Sequence, residues 1–322
     1  MSVTQLSNIV IPEAFTEYVL QNSATKTNLV KSGALVPNAQ INTYLGSGST
    51  TFNVPYWMDI VDGPEADLIS DDPTQLSVPQ KISAYKQLVR KSFLHSSWST
   101  MALSAEIAGS DPLAAIQTRV VEYWNNQLQK RLISSINGVV ASNVANNNGD
   151  MILEVQDAIT AEHTIDACAT LGDSYGDLVG VAMHSATYFK LLKNNLIDFL
   201  PDSEGKPITS YRGLMVIVDD GLQPTDGVYT TVFFGNGAFG YGLAQPVHSQ
   251  GTAIEVIESA GMGGGQSILH SRMSLAVHPL GFSWAEGDIT ADSPSIAELS
   301  NATHWKRMTS RKNVPIAVLK HK

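Results

Sequence analysis

Along residues 111–144, DPLAAIQTRVVEYWNNQLQKRLISSINGVVASNV, apolar side chains recur at Leu113, Ile116, Val120, Trp124, Leu128, Leu132, Ile136 and Val139. Spacings of three and four keep them on one face of an α-helix. Arg119, Glu122, Asn125, Asn126, Gln129 and Lys130 fall between them as a polar face for solvent or a polar neighbour. Ser110 or Asp111 is placed to cap the first amides, and Pro112 stands where a missing N–H costs nothing. The pattern predicts one helix roughly 50 Å long, at about 1.5 Å per residue. A compact enzyme seldom needs such a strut, although a long buried helix of an ordinary α/β domain has the same pattern.

Taken in order, residues 1–47 form an arm with one short amphipathic stretch, IPEAFTEYVLQNSA, followed by small and polar residues of no strong period. Such a segment needs something else to pack against. Two strand-like runs follow, Thr50–Trp57 and Pro79–Phe93, and together they predict a long β-hairpin. The connection of about twenty residues exceeds the usual two to five of hairpins, which marks it as functional or mobile. Its tip carries Asp59, Asp62, Glu65, Asp67, Asp71 and Asp72, with no lysine or arginine from Ser32 to Gln80. Two readings fit this tip: a solvated acidic loop, or a contact with a basic patch on another subunit.

Beyond the helix, Asn146–Gly149 breaks the period, and residues 177–267 have a different texture. Leu178–Met183 reads as a strand, His184–Phe199 as a helix, residues 201–213 as a loop, and residues 214–220 and 228–234 as two further strands. This order predicts a small α/β domain, closed by the glycine-rich Gly261–Ser267, whose glycines suit a flexible crossing between two lobes. Ile268–Ala276 and Ser274–Trp284 are further extended material. The end, Trp305–Lys322, carries Lys306, Arg307, Arg311, Lys312, Lys320 and Lys322 with no acid after Glu298, and its VPIAVL reads as a strand in need of a partner.

The composition, 43% hydrophobic and 16% charged over 322 residues, belongs to a folded chain able to bury one or two sizeable cores. A formal charge of −10 argues against a chain whose main task is to grip phosphate backbones. Cys168 is the single cysteine, so no intrachain disulfide and no cysteine-rich zinc site is expected. The start lacks the basic and apolar regions of a secretory signal, and no stretch approaches the 18 or so apolar residues of a membrane span.

Candidate chemistry mostly fails. Gly235–Gly240, GNGAFG, satisfies the dinucleotide pattern on paper but precedes the extended-looking YGLAQPV rather than a helix. GMGGGQS lacks the lysine of a phosphate loop, and neither a G-x-S-x-G elbow nor an H-E-x-x-H zinc pair occurs. His270 and His278 are too loosely spaced to suggest a metal. Asp219 and Asp220 read as a strand end opening a turn more readily than as a cation site, and Cys168 reads as a small buried hydrophobe. No cofactor, no metal and no nameable active site is expected.

The order of these parts resembles the major capsid proteins of tailed bacteriophages, the Hong Kong 97-type fold. Individual stretches resemble that family too: TTFNVPYWMDIVDG, DPLAAIQTRVVEYWNNQLQKRLISSINGV, LVGVAMHSATYFKLLKNNLIDFL with YRGLMVIVDD, and RMSLAVHPLGFSW. The resemblance is one of order and texture over nearly the whole chain, with no single sealing signature. It implies an α+β fold divided into an N-terminal arm (1–47), an extended β-hairpin loop (48–94) and a peripheral domain with a spine helix (95–175, helix 111–144). An α/β axial domain (176–267) and return strands with the C-terminus (268–322) complete it.

The resemblance implies a structural function, self-assembly into hexamers and pentamers of an icosahedral head around double-stranded DNA. The implied partners are other copies of the chain, a portal, scaffolding or decoration proteins, and DNA held without sequence specificity, in a virion assembled in the host bacterial cytoplasm. Candidate subunit contacts are Asp71 and Asp72 of the acidic tip, Lys81 and Lys86 of the hairpin, and Arg307 and Arg311 of the basic end. Some relatives crosslink a loop lysine to a neighbour's asparagine, and Lys81 and Lys86 lie on the hairpin here. Others begin with a removable scaffolding segment, for which this chain shows no charged helical stretch. Bacterial encapsulin shells are similar as well, and a cytosolic α/β enzyme without a recognisable motif is the remaining alternative.

Overall fold

A computed structural model describes Leu29 and residues 35–57, 68–69, 74, 84–108, 111–201, 207–287 and 289–322. Most of the arm, the hairpin tip and Lys81 lie outside the described residues.

The strands are β1 (Leu35–Pro37), β2 (Thr51–Trp57), β3 (Ala84–Arg90), β4 (Ser92–Met101), β5 (Ile152–Glu154), β6 (Leu178–Met183), β7 (Asp198–Pro201) and β8 (Pro207–Tyr211). They continue as β9 (Leu214–Val218), β10 (Tyr229–Gly235), β11 (Phe239–Ala244), β12 (Thr252–Ile257), β13 (Gln266–Pro279), β14 (Phe282–Trp284), β15 (Trp305–Arg307) and β16 (Ile316–His321). The principal helices are α1 (Ala39–Leu45), α2 (Ala102–Ala108), α3 (Pro112–Asn146), α4 (Ala161–Ala169) and α5 (Ser185–Lys193).

The predicted long helix is α3, at 35 residues, and its start follows the predicted chemistry: the Asp111 carboxylate accepts from Leu113 N–H and Pro112 opens the first turn. Its two halves differ. Leu113, Ile116 and Val120 are half-buried, whereas Trp124, Leu128, Leu132, Ile136 and Val139 are buried, and so are Gln129, Arg131, Ser134, Ser135, Ser142 and Asn143 around them. Gln129, placed by the period on the polar face, meets a polar neighbour: its amide nitrogen lies 3.2 Å from Asp219. Beyond Asn146 the backbone enters the left-handed region at Asn148 and Gly149, which ends the helix where the sequence breaks its period.

Seven strands form one sheet in the order β5-β16-β10-β6-β9-β8-β7. Its central strands are apolar on both faces because both are covered. Ala182, Ile217, Val232, Phe234, Ile316 and Val318 join the core containing Leu128, Leu132, Ile136 and Val139 of α3. Val181, Val216, Phe233, Ala317 and Leu319, on the opposite face, pack with Ala167 of α4 and Leu191 of α5. VPIAVL is thus not an edge: β16 lies between β10, antiparallel, and β5, parallel. The segment 268–322 therefore contributes to more than one sheet.

The second sheet is built on β13, where the expected runs 268–276 and 274–284 prove to be one 14-residue strand followed by a turn at Gly281 (φ 83°) and β14. One edge of β13 pairs with β12 and then β11, and the other pairs with β4 along all ten of its residues. The glycine-rich 261–267 segment is consequently the end of the β12–β13 hairpin within one sheet, not a crossing between lobes. Left-handed φ at Gly261, Met262, Gly263 and Gly265 makes that reversal.

Three further expectations change. The helix expected over 184–199 stops at Lys193, where Asn195 turns left-handed (φ 53°) and releases the chain into β7. The loop expected over 201–213 contains β8, joined to β9 by Arg212 and Gly213, both at positive φ as a two-residue hairpin turn requires. Part of the arm packs on its own chain: β1 pairs parallel with β11, and Ile41 and Leu45 of α1 are buried in a small core with Phe52, Val89 and Ala276.

Candidate assembly surfaces

The hairpin is the predicted one, with β2 and β3 antiparallel from Thr51 opposite Arg90 to Trp57 opposite Ala84. Its root is fixed. Gln87, Val89 and Lys91 alternate inward, as period two demands. The Gln87 amide oxygen accepts from buried His278 at 2.9 Å, and Leu88 N–H donates to Ser283 Oγ at 2.9 Å. Lys91, wholly buried, donates to the Ser47 carbonyl at 2.6 Å and Ser47 Oγ at 3.0 Å, beside the C-terminal end of α1. Burial lowers its pKa, and its ammonium is held by the Leu45 and Ser47 carbonyls and the Ser47 hydroxyl. Arg90 ties the root to the 286–292 segment through Glu286 (3.5 Å) and the Asp292 carbonyl (2.7 Å).

Past this root the described hairpin side chains are largely exposed. Trp57 is 69% exposed and Tyr85 48%, and Lys86 is exposed beside them. Leu68 and Ile69, within the acidic tip, are more than nine-tenths exposed. Asp71, Asp72 and Lys81 lie outside the described residues. The N-terminal half of α3 carries a second uncovered surface, a groove of about 340 Å³ lined by Trp98, Ala115, Ile116, Arg119, Val120 and Tyr123.

Arg307 and Arg311, expected at subunit contacts, turn into their own chain. Arg307 pairs with Asp150 at 2.7 Å, just beyond α3. Arg311 donates to the Val314 carbonyl at 2.9 Å and to Thr170 Oγ1 at 2.8 Å. Burial pushes the Asp150 carboxyl up, but hydrogen bonds from Arg307 and Asn143 and the charges of Arg307 and Arg311 outweigh it and hold the group below its usual range. Lys312 pairs with Asp173 at 2.7 Å on the surface. The basic end is therefore largely a strap that fastens the C-terminus to α3 and α4.

The residues weighed for chemistry are structural. Asp219 is buried and accepts from Leu29 N–H, Gly221 N–H and Gln129, while burial pushes its carboxyl up. Cys168 packs beside the α4 core, and burial pushes its thiol up to about 11, far from thiolate reactivity. Gly240 and the following Gly242 seat a helix rather than a phosphate, since a Cβ on Gly242 would stand 2.7 Å from Ile41 of α1, while Gly237 makes a left-handed turn and Gly235 lies against Asp177 and Pro315. Among the described residues no cluster of three histidine, cysteine or acidic side chains is set to hold a metal, and no helix is long and apolar enough to cross a membrane.

Sequence reasoning passed over Lys91 and Arg131. Lys91 was detectable by strand alternation with Val89. Arg131 lies three residues past Leu128, at the edge of the α3 stripe, where its guanidinium donates to Ser92 Oγ and the Pro294 carbonyl.

Uncovered apolar surfaces on the described hairpin ends and on α3, with the candidate chemical groups tied within the chain, make this a structural chain and leave faces for other subunits to cover. The chain is similar to the cyanophage Pam1 capsid subunit (TM-score 0.62, 10% identity, 99% of this chain and 98% of that one). It is similar to the capsid of a native GTA particle (TM-score 0.56, 13% identity, 97% and 95%) and to the holo-SrpI encapsulin of Synechococcus elongatus PCC 7942 (TM-score 0.53, 9% identity, 99% and 95%). At these identities the likeness shows the fold alone, that of Hong Kong 97-type shells. The family model "Major capsid protein 13-like" matches residues 117–315, more than half of the chain. The major capsid protein of Bacillus phage SPP1 is 33% identical over 331 aligned positions, 100% of this chain and 99% of that one. The chain belongs to this phage major capsid protein family; it is a structural component of a virion capsid and not an enzyme.

Proposed function

We propose that the chain forms hexamers and pentamers that close into an icosahedral head around double-stranded DNA. The observation that carries this reading is the full-length 33% identity to the SPP1 major capsid protein. The exposed Trp57, Tyr85 and α3 groove supply apolar area that neighbouring copies would cover. The charge of −10 suits a container that surrounds DNA without gripping it.

The division proposed runs as arm 1–47, extended loop 48–94, peripheral domain 95–175 with its spine helix, axial domain 176–267, and return and C-terminus 268–322, with β16 lending the axial sheet a strand. Lys86 on the exposed hairpin and Lys81 near its tip are proposed as noncovalent contacts between copies, along with Asp71 and Asp72. Arg307 and Arg311 act there through the strap they hold. Portal, scaffolding or decoration proteins are the further partners, and assembly takes place in the host cytoplasm.

Negative-stain electron microscopy of the expressed chain, with and without nuclease, tests the reading. Closed shells, or pentamers and hexamers that close, support it. A monomer or dimer that never assembles, even with source lysate, overturns it. Filled shells emptied by nuclease only after disruption distinguish a DNA container from a shell around protein cargo. Boiled shells give one band on a denaturing gel if the lysine contacts are noncovalent.

A further inference from the structure

His95 and His270 are 175 residues apart in the chain and meet on one face of the second sheet. β13 runs between β4 and β12, and the register sets who stands beside whom. His270 lies opposite Ser97 on one side and Ala253 on the other, His95 lies opposite Arg272, and Glu255 lies opposite Ile268. Residues directly opposite share a face, so His95, His270 and Glu255 form a diagonal line across three strands. The other face of β13 carries Leu269 and Ser271, and Ser271 accepts from Trp124, so α3 packs on that side. His95 and Ser97 are exposed and His270 is half-buried, which leaves the pair accessible to ions from solvent.

Within this line the histidines have the geometry of a ligand pair. Nε2 of His95 and Nδ1 of His270 stand 3.3 Å apart. Two nitrogens held by one tetrahedral zinc ion at about 2.0–2.1 Å are about 3.3–3.4 Å from each other, whereas 3.3 Å is long for a hydrogen bond between rings. Glu255 Oε2 lies 3.0 Å from Nε2 of His270. An ionised carboxylate only accepts, so that nitrogen carries the ring proton and Nδ1 presents its lone pair towards His95. A carboxylate placed in this way fixes the tautomer and ring orientation of metal-binding histidines. Burial, His270 and Arg272 together lower the pKa of His95, which keeps its ring neutral and able to ligate near pH 7. Arg272 donates to the Gln250 carbonyl at 3.0 Å, and Glu255 supplies the opposing charge across the pair.

We propose that His95 Nε2 and His270 Nδ1 together bind one zinc ion, with water in its remaining positions and Glu255 holding His270 in the ligating tautomer. In the metal-free chain His95 Nε2–H is the donor of the 3.3 Å contact. When the ion enters, that proton passes through water to Nδ1 of the same ring, so both rings stay neutral and no proton is released overall. Two ligands from the chain make an open, exchangeable site rather than a closed structural one. The bound ion ties β4 to β13 and stabilises the folded chain, which alone brings the two histidines together. The inference goes beyond assembly and holds for a single copy.

The test is calorimetric titration of zinc chloride into the full chain after treatment with a chelator, together with thermal melts at each zinc level. One saturable ion per chain and a melting point that rises with zinc are expected. Magnesium and calcium, which take oxygen ligands, are expected to give neither. His95→Ala and His270→Ala each remove a ligand, and each is expected to abolish both the saturable binding and the zinc-dependent shift. Glu255→Gln keeps both ligands but loses the charge behind His270, and its affinity is expected to fall about tenfold. His163→Ala, on α4 and outside this sheet, is the control and binds as the wild type does. His95 is exposed, so its variant remains informative if His270→Ala fails to fold. A wild-type chain that shows no saturable zinc overturns the proposal. So does binding that survives His95→Ala and His270→Ala unchanged, which would place the ion on other side chains such as the carboxylates of the acidic tip.

Discussion

Lys91 is the most informative single residue, because a lysine has no place in a small core unless something receives its charge. Here the Ser47 carbonyl and hydroxyl do so at the end of α1. Lys91→Met keeps most of the buried stem but removes the charge-assisted bonds to the Ser47 carbonyl and hydroxyl, leaving that carbonyl with Ser49 N–H alone, and the expected cost is about 1–3 kcal/mol, read as a lower urea midpoint with an unchanged slope. His278 makes a second prediction. Burial pushes its ring down to about 4 in the folded chain, from about 6.5 when unfolded, so the unfolded state binds more protons across that window. Stability therefore falls as pH drops from about 6.5 towards about 4. His278→Gln removes about 2 kcal/mol of the loss between pH 7 and about 5, measured by urea midpoints of the two proteins at both pH values. His95 and His321, also lowered by burial, act in the same direction but are common to both proteins. Glu298, held down to about 2 by the backbone amides of Ser295 and Thr290, keeps its full stabilising contribution above the carboxylate range and loses it as pH falls from about 4.5 towards about 2, below the pH 7 to 5 comparison.

At the scale of elements, α3 joins the two sheets. Trp124 Nε1–H donates to Ser271 Oγ of β13 at 2.8 Å, Leu128, Leu132, Ile136 and Val139 pack on the seven-stranded sheet, and Ser142 Oγ donates to the Trp305 carbonyl of the small β14–β15 sheet at 2.6 Å. Between these ties the C-terminal segment comes so close that a Cβ on Gly138 would stand 2.1 Å from the Leu299 carbonyl oxygen and 2.4 Å from Trp305 Nε1. Gly138→Ala gains about 1 kcal/mol of helix propensity. It also forces backbone apart at a cost near the upper end of the usual 1–3 kcal/mol for overpacking, so a net loss of about 2 kcal/mol is expected. Gly176→Ala, with nothing near its Cβ and no positive φ, is the control and stays within about 0.5 kcal/mol. Thermal melts of the pair decide. The helix itself was legible because cap, proline and period all lie within it, and β4 was not. Its SFLHSSWSTM carries serines on both faces and so no hydrophobic period, and its place comes from pairing with residues 266–275, far along the chain.

For the whole molecule, the uncovered hairpin separates folding from assembly. Trp57→Ser removes an exposed indole at the end of β2, so the melting point of the isolated chain barely moves, within about 0.5 kcal/mol of stability. Closed shells are expected to disappear, because aromatic anchors carry much of an interface's energy. Shells that form as well as wild type would remove the hairpin from the contacts.

The sequence alone determined the long helix and its N-cap, the pairing of the runs 50–57 and 79–93 into a hairpin, and the apolar strands of the two-faced sheet. Each of these rests on spacing or residue type within a few turns of chain. Tertiary structure alone decided that β16 lies inside a sheet, that the glycine-rich segment turns a hairpin, and that Arg307 and Arg311 face Asp150 and Thr170. A strand's ladder partners and a cation's carboxylate are chosen by long-range packing energies, and those leave no local period in the sequence to read.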